Sequence, residues 1–227
     1  MTILVFGKTG QVATEIARLA PDALCLGRDE ADLADPDSCA AAIARHDPRA
    51  VINAAAYTAV DRAEDEEPLA TRINAEAPAS MARACAARGI ALVQISTDYV
   101  LDGQGCAPHA PDAPVAPLNA YGRSKAAGEA AVRASGATHA ILRTSWVFSA
   151  HGSNFLKTML RLSETRAALQ DALTSEYELA QMQLSWRRDN VRTARSAGCL
   201  TSLCYLIARR RSRRTSRRGR TRTCCRR

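Results

Sequence analysis

The sequence predicts a doubly wound α/β domain built on a parallel sheet. Two observations predict it. Short apolar runs alternate with segments of helical period through residues 1–166, and the first apolar run ends in a glycine turn that opens a helix. Alternation of this kind implies parallel strands joined by right-handed crossovers.

The elements follow in order. Residues 2–6 are an apolar run ending at Gly7, as suits a buried parallel strand. Residues 11–19 carry Val12, Ile16 and Leu19 at helical spacing. Residues 23–26 read as a second strand, residues 38–46 as a helix after the Asp35-Pro36 punctuation, and residues 50–53 as a third strand. Residues 64–88 are Ala-rich, and Pro68 and Pro78 predict two helical pieces ended by Gly89. Residues 91–95 are a fourth strand. Residues 102–118 hold four prolines and read as a long loop, a length often tied to function. Residues 120–134 form a helix, 139–142 a fifth strand and 154–166 a last helix.

The pattern fails after about residue 166. Residues 187–227 hold 15 Arg, no Lys and one acid, Asp189, which leaves 16 basic and 22 acidic side chains in residues 1–186. The net charge of +8 therefore describes the tail and says nothing about the partners of the mildly acidic body. Residues 1–166 are the expected core. Residues 167–227 are an aberrant tail, Arg-rich from 187 and expected to be disordered for want of large apolar side chains. The abrupt change in usage looks like a shifted reading frame of a GC-rich gene. A genuine basic tail binding nucleic acid is the weaker reading, since no aromatic is interleaved after Tyr205.

The eight cysteines show no C-x-x-C spacing, which disfavours zinc. No signal peptide precedes the first strand, and the longest apolar stretch is too short to span a bilayer, so the expectation is a reducing cytoplasm and no membrane.

Several segments carry chemistry. Gly7-x-x-Gly10-x-x-Ala13 lies between a strand and a helix. Gly7 permits a tight turn, Gly10 lets a pyrophosphate approach the backbone, and the helix start at Gln11 and Val12 offers free N–H groups to phosphates. Alone, the pair is equally a structural βα turn. After the second strand, Arg28 favours a 2′-phosphate with Lys8 assisting, and Asp32 and Leu33 are placed to meet an adenine. Arg28 is as readily a solvated surface charge. Small residues at 53–58 let the chain pass close to a flat ligand. Ser96-Thr97-Asp98 offers a hydroxyl for a carbonyl and a carboxylate for a hydroxylated ligand. Tyr121 and Lys125 stand four residues apart, on one helical face and about 6 Å apart at Cβ. A phenol beside an ammonium can protonate a carbonyl near neutral pH, with Lys125 lowering the phenol pKa.

Six blocks combine these signals: residues 6–12, 53–64, 96–103, 117–125, 143–148 and 154–161. In this order and spacing the chain resembles the extended short-chain dehydrogenase/reductases, and among them the reductases of dTDP-linked 4-keto sugars. The resemblance covers about residues 1–166 and implies a Rossmann-like core. It implies Thr97, Tyr121 and Lys125 as the catalytic set and Thr97, Asp98 and Trp146 as contacts to a dTDP-sugar. It also implies an NADPH site, with NADH the alternative, drawn from Gly7, Lys8, Gly10, Gln11, Val12, Arg28, Asp32, Leu33, Ala56, Tyr57 and Thr58 together with Tyr121 and Lys125. A homodimer is implied as well. Glu15 matches a position linked to Mg²⁺ at a dimer contact, though a lone helix glutamate is ordinarily solvated, and no other metal is expected. Trp146 would otherwise read as core packing.

Where the family continues into a further strand and a smaller substrate-binding part, this chain carries the unrelated tail, and that C-terminal part is missing from the pattern. The nearest enzymatic rival is another extended sugar-nucleotide epimerase or dehydratase. A dehydratase needs an acid/base pair beside Thr97, yet Tyr99 follows Asp98 where a glutamate would serve. A non-catalytic regulatory subunit of a methionine adenosyltransferase shares the fold but tends to lack an intact Tyr/Lys pair. An inactive, truncated product is the remaining alternative.

Overall fold

The computed structural model describes residues 2–104 and 109–165. Residues 1–153 form one compact unit. Its strands are β1 (Ile3–Phe6), β2 (Leu24–Leu26), β3 (Ala50–Asn53), β4 (Ala91–Thr97) and β5 (His139–Thr144). All pair in parallel, in the order β2-β1-β3-β4-β5. The chain runs outward from β1 to β2, then crosses back to β3. The carboxyl ends of β1 and β3 therefore flank the point where the winding reverses, which is where open α/β sheets hold ligands.

The helices of this unit are α1 (Gln11–Leu19), α2 (Pro36–His46), α3 (Arg62–Asp65), α4 (Glu67–Thr71), α5 (Ala77–Arg88) and α6 (Ala120–Ala134). Right-handed crossovers put α1 on one face of the sheet and α2, α5 and α6 on the other. Leu4, Phe6, Leu26, Cys39, Ile43, Met81, Cys85, Leu92 and Val132 form the main core between the sheet and that second helical layer. Local signals fix the ends. Asp35 caps α2 by accepting the Asp37 N–H at 3.2 Å, with Pro36 at the first helical position. Gly89, at φ 66°, ends α5, and the Ile90 N–H closes back on the Cys85 carbonyl at 2.9 Å.

Two elements differ from the sequence expectation. The segment expected as two pieces broken at its prolines starts earlier, at Arg62, and breaks at Glu66 instead. Pro68 sits in a first turn, where a missing N–H costs nothing. Between α4 and α5 the chain stays helical through a π-helical turn, Arg72–Glu76, so Pro78 does not interrupt it. Strand β4 runs two residues beyond the expected end at 95, because Ser96 and Thr97 pair with Arg143 and Thr144 of a longer β5. This places Thr97 at a strand's carboxyl end rather than in a loose turn.

Helix α6 reaches its neighbours through glycines. A Cβ on Gly122 would stand 2.2 Å from the Tyr99 carbonyl oxygen, and one on Gly128 would stand 2.1 Å from the Asn74 carbonyl oxygen. Both obstacles are backbone, so neither yields cheaply. At its start, Asn119 accepts the Gly122 N–H at 2.7 Å, and Glu64 accepts the Ala120 N–H at 2.8 Å.

Helix α7 (Phe155–Thr165) belongs to the second unit, which begins at Asn154. Asn154 starts it by accepting the Lys157 N–H at 3.0 Å. The tail of residues 167–227, its expected disorder and its basic run all lie outside the described residues, as do residues 105–108 of the proline-rich loop. Among the described residues no helix is long and apolar enough to cross a membrane.

Gly128→Ala should cost about 1–3 kcal/mol, the usual range for forcing a methyl into filled space. A lowered thermal midpoint would show it. A midpoint equal to that of the parent would mean that α6 does not pack this closely on the π turn.

Candidate active site

The glycine turn after β1 is shaped for an anion. Gly7 has φ 107°, a conformation side-chain-bearing residues rarely adopt, and a Cβ there would touch the Ala54–Ala55 backbone at 3.4 Å. Gly10 faces open space, and a Cβ on it would meet nothing within 4 Å. Helix α1 begins with no side-chain cap and no acid in its first turn, so its N–H groups and positive dipole end are not neutralised locally. Ala13, 1% exposed, lets α1 lie close to the sheet. These features fit a pyrophosphate.

The edge after β2 carries paired charges. Lys8 Nζ donates to Glu30 at 3.2 Å, and Glu30 also accepts the Gly27 N–H at 2.9 Å. The Gly27 N–H first, and Lys8 next, hold the Glu30 carboxyl below its ordinary pKa. Sequence reasoning missed Glu30; its one signal is an acid three residues beyond a strand-end glycine. Arg28 is 84% exposed at its side chain and lies 3.9 Å from Asp32. Leu33 is placed differently from the expectation of an adenine contact. Leu33 is 7% exposed and packs in the core with Leu26, Ala31 and Cys39.

After β3, Ala54 and Ala55 lie against Gly7, and Ala56, Tyr57 and Thr58 follow them in the loop. Asn74, buried in the π turn, clamps this loop. Its carbonyl oxygen accepts the Tyr57 N–H at 2.9 Å, and its amide donates to the Tyr57 carbonyl and the Ser124 hydroxyl at 3.0 Å each. Ser124 in turn donates to the Tyr121 carbonyl at 2.7 Å. Tyr57 and Tyr121 also pack against one small cluster of Ala63, Ala70 and Ala120. One buried amide thus ties the loop after β3 to the helix of Tyr121. Sequence reasoning missed it, because an asparagine inside an Ala-rich helix carries no local mark.

Thr97, Tyr121 and Lys125 converge at the carboxyl end of β4. Lys125 is 4% exposed, and its Nζ donates to the Ile95 carbonyl at 2.7 Å. The same carbonyl accepts the Gln94 amide at 2.9 Å, and Gln94 accepts from Asn53 of β3 at 2.9 Å. Burial pulls the Lys125 pKa down to about 8, with the Glu129 charge acting the other way. The half-buried phenol of Tyr121 meets the ring of Tyr99 edge-on at 5.5 Å. Desolvation raises its pKa, a hydrogen bond with Thr97 lowers it, and Asp98 and Tyr99 add to the rise. This corrects the expectation that Lys125 depresses the phenol. The groups acting on the phenol are its own burial, Thr97, Asp98 and Tyr99. The Thr97 hydroxyl donates to Asp98 at 3.0 Å and accepts the Tyr99 N–H at 3.2 Å. To donate to a substrate oxygen it must turn away from Asp98.

Asp98 is also held by Ser145, whose hydroxyl donates to it at 2.7 Å, so the segments after β4 and β5 are joined. Trp146 follows at φ 52°, in the left-handed region, and is 45% exposed. Core packing is thereby excluded for it. Such backbone conformations cost on the order of 1–3 kcal/mol and cluster at ligand clamps. Glu15 accepts from Arg18 at 2.8 Å and lies 3.3 Å from His151 Nε2, and among the described residues no three His, Cys, Asp or Glu side chains gather as ligands.

The arrangement can therefore hold a dinucleotide along the ends of β1 and β3, with strands about 4.8 Å apart. It presents a phenol, a hydroxyl and an ammonium at the end of β4. The comparisons agree with this chemistry. The family model described as the RmlD substrate binding domain matches residues 1–172. A dTDP-4-dehydrorhamnose reductase of Burkholderia thailandensis is 46% identical over 169 residues, covering 73% of this chain and 57% of the relative. That of Salmonella typhimurium is 43% identical over 176 residues, covering 74% and 59%. The crystal structure of dTDP-4-dehydrorhamnose reductase from Bacillus anthracis in complex with NADP superimposes with a TM-score of 0.70 at 36% identity, covering 73% of this chain and 60% of that one. The chain thus spans about three fifths of the length of these relatives.

The folded pKa of Lys125, about 8, lies below its ordinary 10.5. Between those values the unfolded chain keeps a proton that the folded chain has shed, so stability rises with pH across that window. Lys125→Met should remove this rise. In paired thermal melts the parent should gain on the variant from about pH 8 upward, and a constant gap would contradict the burial of a titrating ammonium.

Proposed function

Because the chain belongs to the RmlD substrate binding domain family, we propose that it is a nicotinamide-dependent reductase of a dTDP-linked 4-keto-6-deoxy sugar, dTDP-4-dehydrorhamnose, giving dTDP-L-rhamnose. The observation that carries the reading is the convergence of Thr97, Tyr121 and Lys125 at the end of β4, two strands from an anion-shaped glycine turn.

The Gly7–Gly10 turn and the start of α1 would receive the pyrophosphate, and the Asn74-clamped loop at Ala56, Tyr57 and Thr58 would border the cofactor beyond it. Arg28, exposed beside the β2 edge, would meet the 2′-phosphate of NADPH, with NADH the alternative. A nicotinamide cofactor held there would supply hydride to the sugar carbonyl carbon.

This chain's residues manage the proton and the position. The Tyr121 phenol, kept neutral by its burial, gives its proton to the carbonyl oxygen as charge builds there. Thr97, released from Asp98, donates a second hydrogen bond to that oxygen and orients it. Lys125, close to half-protonated near pH 8, can return a proton to the phenolate. Asp98, tied by Ser145, and Trp146, held exposed, would contact the sugar nucleotide.

Tyr121→Phe keeps the ring against Tyr99 and removes only the proton donor. We expect NADPH oxidation with dTDP-4-dehydro-6-deoxy-L-mannose to fall by on the order of 10²–10⁴ in kcat, with NADPH affinity retained. Equal rates for parent and variant would defeat the assignment of the acid.

A further inference from the structure

One buried charged cluster is not used by this mechanism. Glu129 lies on α6 one turn beyond Lys125, and its side chain is fully buried. Ser96 of β4 donates to it at 2.6 Å. Arg143 of β5 grips it with two bonds, Nε at 3.0 Å and an Nη at 2.8 Å, and Arg133 adds a third cationic bond at 2.8 Å. Ser96 precedes Thr97, and Arg143 precedes Thr144, whose hydroxyl donates to the Ser96 carbonyl at 3.0 Å. A single carboxylate therefore joins the helix of the acid to the ends of both strands that carry its partners.

We propose that Glu129 is a positioning residue of the site. Through Ser96 and Arg143 it locks α6, and with it Lys125, onto the ends of β4 and β5. The role in turnover rests on the reductase reading above, but the arrangement itself is a property of the cofactor-free chain.

The charges that reach Glu129 are few. Arg133 comes from α6 itself and Arg143 from β5, while β4 contributes only the neutral Ser96. The π turn contributes neutral Asn74, whose amide goes to Ser124. The acids of α3 and α4, Glu64 and Glu67, are engaged by Arg123 at the exposed start of the helix. Asp98 acts on Tyr121. Burial raises the Glu129 carboxyl pKa, but Arg143, Ser96 and Arg133 outweigh it and leave a net fall, so Glu129 is ionised at neutral pH. Of the charged side chains around Lys125, Glu129 is the one that favours the protonated ammonium.

The chain has only three lysines, Lys8, Lys125 and Lys157, so the test is a pH titration of ¹³Cε-lysine signals by NMR, with Lys125 assigned from Lys125→Arg. In the parent, Lys125 should titrate near pH 8. In Glu129→Gln its midpoint should move to lower pH, and NADPH should bind more weakly. A Lys125 midpoint that is unchanged or higher in a folded Glu129→Gln protein overturns the proposal. If that variant does not fold, Glu129→Asp decides: it keeps the charge but shortens its reach to Ser96 and Arg143, so NADPH should bind more weakly, and unchanged NADPH binding overturns the proposal equally. The titration needs no turnover. A shifted midpoint in a protein that binds no NADPH would uphold the charge coupling and sink the reductase reading instead.

Discussion

The docking of helix α6 on strand β4 is the constraint on which the rest of the site depends. The helix carries both the phenol and the ammonium, so its distance from the strand sets where they stand. Gly122 and Gly128 allow the helix to approach the backbone of Tyr99 and Asn74 more closely than any side chain would permit. Lys125 then reaches the Ile95 carbonyl, and Glu129 reaches Ser96. Close approach, a buried ammonium and a buried carboxylate are three consequences of one packing geometry.

That geometry explains how a polar site survives inside a core. Three buried or nearly buried polar chains meet at the β4 end. Asn53 leads through Gln94 to the Ile95 carbonyl and Lys125; Asn74 leads through Ser124 to the Tyr121 backbone; Glu129 gathers Ser96 and two arginines. Among the described residues no buried side-chain nitrogen or oxygen lacks a partner. Satisfied networks of this kind specify one arrangement, because any shift leaves a polar atom unpaired at a cost of roughly 1–3 kcal/mol. The catalytic groups themselves are left near the surface of that frame, where Tyr121 is half-buried and Thr97 has a hydroxyl it can redirect.

Much of the fold was legible because the apolar runs and the punctuation agree. The strand of residues 50–53 and the helices of residues 11–19 and 120–134 lie where their patterns put them. The π turn was not legible, since Pro78 reads as a break and only tertiary packing shows the chain staying helical through it. At the site, Tyr121 and Lys125 stand out by spacing, and the structure places them beside Thr97. Asn74, Gln94 and Glu129 do not stand out, because each looks like an ordinary polar residue on a helix or strand until its partner, 50, 41 or 33 positions away, is brought alongside. The direction of the Tyr121 pKa is hidden for the same reason: spacing shows that a lysine is near, but not that burial dominates the phenol.

The most direct measurement is a crystal structure of this chain with NADPH. With α6 already seated on β4, the cofactor should lie with its pyrophosphate on Gly7–Val12 and its nicotinamide ribose within hydrogen-bond reach of Lys125 Nζ, beside the Tyr121 hydroxyl, and without displacement of the helix from the strand. Cofactor bound away from the glycine turn, or a nicotinamide remote from residues 121 and 125, would contradict the idea that this docking builds a reductase site.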